Sequence, residues 1–297
     1  MISKLYQKII WYTTHMPGYK VKSIFTWRRF FLFLLTALLL FTIWYIFFDK
    51  PSNIGDWQQK VAVLSTAEFK DNFVTLHNVR NFQYPDTEND PIVGYYNKTY
   101  DLNKISKVWF ITEPFKPDAP VAHTFLSFEF SNGDFLDITI ESRLKIGQTY
   151  NAYLSLLHAY PLMYIATDEK DAIYLRANVR KSNVYLYPVK ATPAQARALF
   201  VDMLQEMNNL AQNPAWYNGI SANCTSRIAF HVNKIWPDAL STFSWQLWLT
   251  GHADELAFKK GLIDSDLTVL EAREKYLITA KSRKIGYVAD YSQLIRQ

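Results

Sequence analysis

Hydrophobic periodicity divides the chain into one unbroken apolar run and a longer stretch of mixed helix and strand patterns. Residues 30–48 are nineteen consecutive positions without a charge. At the helical rise they cover about the ~30 Å hydrocarbon core of a bilayer. Trp27, Trp44 and Tyr45 stand near the ends, where interfacial aromatic rings are expected. After an extended linker over 50–64, Ser65-Thr66-Ala67-Glu68 has capping-box spacing and predicts a helix with Phe69, Phe73, Leu76 and Val79 on one face. Residues 81–98, punctuated by Pro85, Pro91 and Gly94, read as loop or irregular strand. Residues 106–112 predict a strand, and 121–130 and 134–142 predict two more. Leu154, Leu157 and His158 form a helical stripe over 151–164, and 173–176 and 183–187 read as strands. Thr192-Pro193-Ala194-Gln195 is a strong helix start. The stripe behind it, Ala196, Leu199, Phe200, Met203, Leu204, Met207 and Leu210, is core packing rather than a cofactor box. The aromatic run 243–249 fits a core segment better than a membrane-facing edge, and 267–279 reads as a final helix.

The two central strands carry the first chemical signal. Ser131-Asn132-Gly133 between them suits a three-residue loop with glycine at the left-handed position. That register pairs Phe130 with Asp134, and therefore His123 with Glu141. A two-residue Asn-Gly turn would instead pair His123 with Ser142 and send Glu141 to the opposite face. Leu136, Ile138 and Ile140 alternate with Asp137, Thr139 and Glu141, so the hairpin has an apolar and a polar face. In the first register His123 shares the polar one. A carboxylate beside an imidazole fixes its tautomer and raises its basicity. The competing reading is a surface cross-strand pair worth well under ~1 kcal/mol.

Cys224 is the one cysteine in the chain. A turn-rich stretch over 213–219 precedes it. Ile228, Val232 and Ile235 recur behind it at helical spacing, with Ala229 and Phe230 widening the apolar face until Pro237 stops the run. A thiol in a first helical turn meets the positive end of the macrodipole and unpaired N–H groups, which favour the thiolate. Free cysteine is also among the most buried residue types, so a packed structural thiol is the alternative. A cysteine nucleophile needs a base and an orienting group, and His123 with Glu141 are candidates for both.

Charge changes the picture of where the domain works. The chain has 32 basic and 27 acidic residues, a net charge of +5; residues 1–29 hold six of the basic residues and no acid, leaving 26 against 27 beyond them. The pI near 9 thus reports topology rather than nucleic-acid binding. A basic flank ahead of the span predicts a cytoplasmic N-terminus. Without a small-residue cleavage site after it, the span predicts an uncleaved signal anchor. The expected organisation is a cytoplasmic leader over 1–29, a transmembrane anchor over 30–48 and a periplasmic domain over 49–297. A lone cysteine in an oxidising compartment forms no internal disulfide, which sharpens the question of what the thiol does. Metal-ligand spacing, a P-loop, a dinucleotide fingerprint and a G-x-S-x-G elbow are all missing, so no metal, cofactor or nucleic acid is expected as a partner.

The order of histidine and glutamate on strands, then a distant Asn-Cys opening a helix, resembles the circularly permuted papain-like (NlpC-type) hydrolases and acyltransferases. More closely, AHTFLSFEF (122–130), ITIESR (138–143), DAIYLRANVR (171–180), VYLYPV (184–189) and PAWYNGISANCTSRI (214–228) resemble the Lnb N-terminal periplasmic domain family, with GLIDSDL (261–267) fitting its later part. The resemblance implies an α+β fold, an antiparallel sheet packed against helices. It further implies a periplasmic cysteine acyltransferase that takes an acyl chain from a membrane phospholipid and passes it to an amine, such as a lipoprotein N-terminus. By motif, Cys224 would be the nucleophile, His123 the base and Glu141 the orienting residue, with Asn223 helping to hold the oxyanion. The related acyltransferases continue into a multi-span membrane region, whereas no later run here matches 30–48 in length, and this departure bears on the acceptor. The competing functions are a cysteine amidase or peptidase of the cell envelope, and a non-catalytic envelope scaffold.

Overall fold

The computed structural model describes residues 22–47, 49–85, 87–117 and 119–297, with side chains of the first helix described from Thr26 to Tyr45. Most of the basic leader and the last residue of the apolar run therefore lie outside the described residues. The chain forms two compact units, residues 1–50 and Pro51–Gln297. The first contains helix α1 (Lys22–Phe47), in which Thr26–Tyr45 is long and apolar enough to cross a membrane. Its two mid-span threonines donate back to the helix, Thr36 to Leu32 O at 2.8 Å and Thr42 to Leu38 O at 2.7 Å, which leaves no hydroxyl hydrogen unmet in hydrocarbon.

The second unit is α+β and centres on an eight-stranded sheet: β1 (Thr66–Lys70), β2 (Phe73–Arg80), β3 (Tyr95–Asp101), β4 (Ile105–Pro114), β5 (Ala122–Phe130), β6 (Phe135–Ser142), β7 (Leu162–Thr167) and β8 (Tyr185–Pro188). The order is β1-β2-β7-β6-β5-β4-β8, with β3 on β2; neighbours are antiparallel except β2 and β7, which meet in parallel at Arg80 and Thr167. One face packs against α3 (Pro193–Gln212) and α4 (Cys224–Ile235) through a core that includes Leu126, Phe128, Phe200 and Met203. The other packs against α2 (Glu169–Tyr174), the π-helical turn Leu175–Val179, α7 (Thr279–Ile285) and α8 (Tyr291–Leu294), through Phe125, Ile173, Ile278 and Tyr291. Two short helices, α5 (Ala253–Lys259) and α6 (Val269–Tyr276), complete the first layer.

The hairpin register is the three-residue-loop one. Gly133 takes φ 87°, Phe130 N donates to Asp134 O at 2.9 Å, and the ladder runs from Glu129 opposite Phe135 to Phe125 opposite Thr139. Continued two residues, it sets His123 against Glu141. The polar face does not meet solvent, however. The α2, α7 and α8 layer covers it, and Ser127, Asp137 and Thr139 are fully buried.

Four segments depart from the expected pattern, each for a local reason. Residues 65–80 form the β1–β2 hairpin, not a helix. Val74 and Leu76 follow a strand's period, but a bulge between Leu76 and Val79, with Asn78 at φ 59°, adds a residue and mimics helical spacing. Residues 151–164 hold one 3-10 turn (Leu154–Leu156) before β7 begins; His158 takes φ 53° and stacks on Trp216, with centroids 5.3 Å apart. Residues 173–176 are helical rather than strand, because Ala172, Ile173, Leu175 and Ala177 are buried all round and show no period. In 243–249 only Leu247 is buried. Phe243, Trp245, Trp248 and Leu249 are exposed, so this is not a core segment.

Candidate functional site

Helix α4 places the sulfur. Asn223 caps it by a reciprocal capping box: its Oδ1 accepts from Ser226 N at 2.8 Å, and Ser226 Oγ accepts from Asn223 N at 2.9 Å. Both amide hydrogens of Asn223 are committed, to Gly219 O and Leu247 O at 2.8 Å each. That side chain ties two loops to the helix start and has no hydrogen left for an oxyanion, which corrects the role expected for it. The apolar stripe of α4 is narrower than expected. Ile228, Ala229 and Val232 are buried, while Phe230 is exposed between Arg227 at 4.3 Å and Lys234 at 4.4 Å.

The far end of α4 is held by a buried relay. His231 Nδ1 pairs with Asp202 Oδ2 at 2.5 Å, its Nε2 meets Tyr164 Oη at 2.8 Å, and Arg227 Nε donates to the same hydroxyl at 3.2 Å. Burial holds the His231 pKa below its ordinary value in spite of Asp202, so the imidazole is neutral. The relay joins α4 to α3 and β7.

His123 lies near the start of β5, where Cys224 Sγ approaches Ala122 O at 4.0 Å. The thiol and the imidazole are close enough to act on each other's charge, and both line the same cavity. On its other side His123 Nε2 lies 2.7 Å from Thr139 Oγ1 and 3.2 Å from Glu141 Oε1, and Thr139 donates to Glu141 Oε1 at 2.8 Å. Nε2 is thus occupied, which leaves Nδ1 for the sulfur. Arg176 lies 3.4 Å from Glu141 Oε1 and pairs with the buried Glu113 at 2.8 Å. Cys224, His123 and Glu141, distant in sequence, stand together.

Electrostatics favour a charged pair. Burial pushes the Cys224 thiol up, but the hydrogen bond and charge of His123 outweigh it and hold the thiol below its ordinary value. For His123, burial pushes down, and Glu141 with the thiol carries it up to about 9. Burial also pushes Glu141 up, yet His123, Arg176 and Thr139 keep it well below the usual carboxylate range. Near neutrality the imidazole is therefore an imidazolium beside a carboxylate, and it eases ionisation of the thiol next to it.

The group opens into a cavity of about 430 Å³ lined by His123, Glu141 and Cys224 together with Arg80, Arg176, Tyr150 and Trp248. A separate apolar cavity of about 60 Å³ lies under α4 and does not reach the sulfur. Among the described residues, no group of three or more His, Cys, Asp or Glu is placed to hold a metal. Thr139 and Arg176 went unnoticed in the sequence reading. Thr139 was visible as the middle member of the Asp137, Thr139, Glu141 alternation, whereas Arg176 sat inside a segment read as strand.

The model of the Lnb N-terminal periplasmic domain matches residues 94–251, more than half of the chain. The match takes in β4 to β8, α3, α4 and the aromatic run, and it ends before 261–267, so that stretch lies outside it. No curated protein and no solved structure matches the chain. The chain belongs to the Lnb N-terminal periplasmic domain family.

Proposed function

We propose that this protein is a membrane-anchored periplasmic cysteine acyltransferase, with its N-terminus in the cytoplasm, that takes an acyl chain from a phospholipid and gives it to an amine. The observation that carries the reading is that Cys224 shares the wall of a 430 Å³ cavity with His123, which is backed by Thr139 and Glu141. A strand histidine and glutamate that precede a helix-start cysteine also suit a permuted papain-like arrangement.

In the first step the Cys224 thiolate attacks the ester carbonyl carbon of the lipid, and the carbonyl oxygen takes the negative charge. The N–H of Cys224, at the helix start and ahead of the capped Ser226 N–H, is the donor for that oxyanion. As the intermediate collapses, the bond to the glycerol oxygen breaks, and His123 imidazolium gives its proton to the departing lysolipid alkoxide. The enzyme is left as a thioester with neutral His123. In the second step His123 takes a proton from the incoming amine while its nitrogen attacks the thioester carbonyl. Collapse releases the amide and regenerates the thiolate–imidazolium pair. Glu141, held anionic by Arg176, keeps the imidazole oriented through both proton transfers.

Intact-mass measurement after incubation with phospholipid tests the reading. Wild type gains the mass of an acyl chain, removable by hydroxylamine, and Cys224→Ser gains no hydroxylamine-labile mass. Cleavage of peptide amides without any adduct from lipid would replace the acyltransferase with an amidase.

A further inference from the structure

We propose that the loops around the mouth of the Cys224 cavity form a lipid-docking surface that seats the cavity on a bilayer. Four stretches make the rim: the described residues of 115–121 (115–117 and 119–121), 146–157, 219–221 and 243–251. Tyr153 is 81% exposed and Phe243 85%, and Phe115, Leu157, Ile220 and Trp245 are exposed beside them. The same segments supply the cavity wall through Phe115, Val121, Tyr150, Gly219 and Trp248, so the apolar surface continues from the rim inward.

These side chains are displayed by built loops. Asn151 Oδ1 accepts from Tyr153 N at 2.9 Å and Leu154 N at 3.1 Å, and Asn151 N donates to Tyr160 Oη at 2.9 Å. Gly251 N donates to Pro120 O at 3.0 Å, and a Cβ at Gly251 would come within 2.1 Å of Ala119 O, so the 115–121 and 243–251 loops meet too closely for any other residue there. A soluble surface gains nothing from holding such groups in water.

Charge identifies the occupant. Residues 146–167 and 239–253 contain no Asp, Glu, Lys or Arg. Protein-binding surfaces have a polar rim around their apolar core. In the segment 115–121 the charges are Lys116 and Asp118; the other exposed groups named are Tyr, Trp, Phe, Ile and Leu, the amphipathic and apolar rings and chains that settle at a lipid interface. A helix long and apolar enough to cross a membrane precedes the domain in the same chain. A bilayer is the partner this surface fits. The surface does not depend on the acyl-transfer reading, since an anchored amidase would use it equally; docking without a thioester would separate the two.

The test uses the full-length chain in a Cys224→Ala background, with one new cysteine at the rim (Phe243→Cys or Tyr153→Cys) or on the distal helix α7 (Lys281→Cys), labelled with an environment-sensitive fluorophore. Each protein is reconstituted into phosphatidylethanolamine–phosphatidylglycerol vesicles, with and without a nitroxide-bearing lipid. Both rim labels blue-shift and lose fluorescence to the nitroxide lipid, while the label at 281 does neither. Adding Leu157→Asp to the Phe243→Cys protein reduces the loss. Equal quenching at all three positions, or none at the rim, overturns the proposal. So does a rim label that is shielded from water but not quenched by lipid, because that would place a second protein copy over it.

Discussion

At the scale of single residues, the site is a chain of four groups: sulfur, imidazole, hydroxyl and carboxylate. His123 stays protonated up to about 9, and its charge holds the thiol below its ordinary value. Alkylation of Cys224 by a small iodoacetamide should therefore have a midpoint below that of a free thiol. In His123→Ala the thiol loses the largest influence opposing burial and keeps only that of Thr124, so the alkylation midpoint moves up. An unchanged midpoint would mean that His123 does not set the thiol's charge. Thr139 is the less obvious member. Its hydroxyl lies 2.7 Å from Nε2 and donates to Glu141, so Thr139→Val, which keeps the shape, removes both contacts. We expect acyl transfer to fall by about 10–100-fold, equivalent to ~1.4–2.8 kcal/mol of transition-state stabilisation. Thr139→Ser should restore most of it. Loss of His123 tautomer control also lowers the upper limb of the pH–rate profile, a change that a merely weakened fold would not produce.

At the scale of elements, the start of α4 is where packing and chemistry meet. Asn223→Ala removes the cap, worth about 1 kcal/mol, and two further hydrogen bonds to Gly219 O and Leu247 O. With each of those worth ~0.5–1.5 kcal/mol, denaturant unfolding should show a loss on the order of 2–4 kcal/mol. Asn223→Asp keeps the capping oxygen but not the donors, so it should retain the helix and loosen the 219 and 247 loops. This element was legible in the sequence from the turn-rich stretch 213–219 and the apolar spacing behind Cys224, and α3 from its cap, because Thr192 and Gln195 are three residues apart and need no tertiary context. The hairpin register was legible down to two alternatives, since Gly133 suits both a three-residue loop and a two-residue Asn-Gly turn, and the ladder decides for the first. What could not be read depended on contacts far along the chain. The β1–β2 bulge disguised a strand as a helix, burial on all sides erased the period of 169–179, and Asn223 looked available until its amide hydrogens were found bonded elsewhere. The exposure of 243–249 was hidden too, because an aromatic run has the same composition in a core as on a lipid-facing rim.

At the scale of the whole molecule, the C-terminus is stitched to the centre of the sheet by a charged cluster that no local pattern announced. Arg296 donates to Glu169 Oε2 at 2.9 Å and to Ser127 Oγ at 3.2 Å, and its guanidinium stacks on Phe135 at 4.2 Å and Trp109 at 4.8 Å. Asp137 sits opposite Ser127 and Thr167 in the ladder, fully buried, and neither of its oxygens has a hydrogen-bond partner. Burial first, and the neighbouring Glu169 second, push its pKa well above the ordinary value, against the pull of the nearby Ser127 hydroxyl, which misses hydrogen-bond geometry, and of Arg296. Asp137 is therefore a protonated acid in the folded state over a range where the unfolded chain has already ionised it. The folded state binds the extra proton, so the stability it contributes is complete below the unfolded value of about 3.9 and is lost as pH rises towards the elevated folded one. Each unit of that elevation corresponds to about 1.4 kcal/mol. Asp137→Asn keeps the shape and removes the titration. Glu141, whose pKa is lowered, works in the opposite sense in both proteins and cancels in the comparison. Unfolding free energies of wild type and Asp137→Asn between pH 4 and 9 should therefore diverge, with the variant gaining on wild type as pH rises. Parallel curves would mean that Asp137 ionises in the folded protein as it does in the unfolded one, and that Arg296 neutralises the cluster without a bound proton.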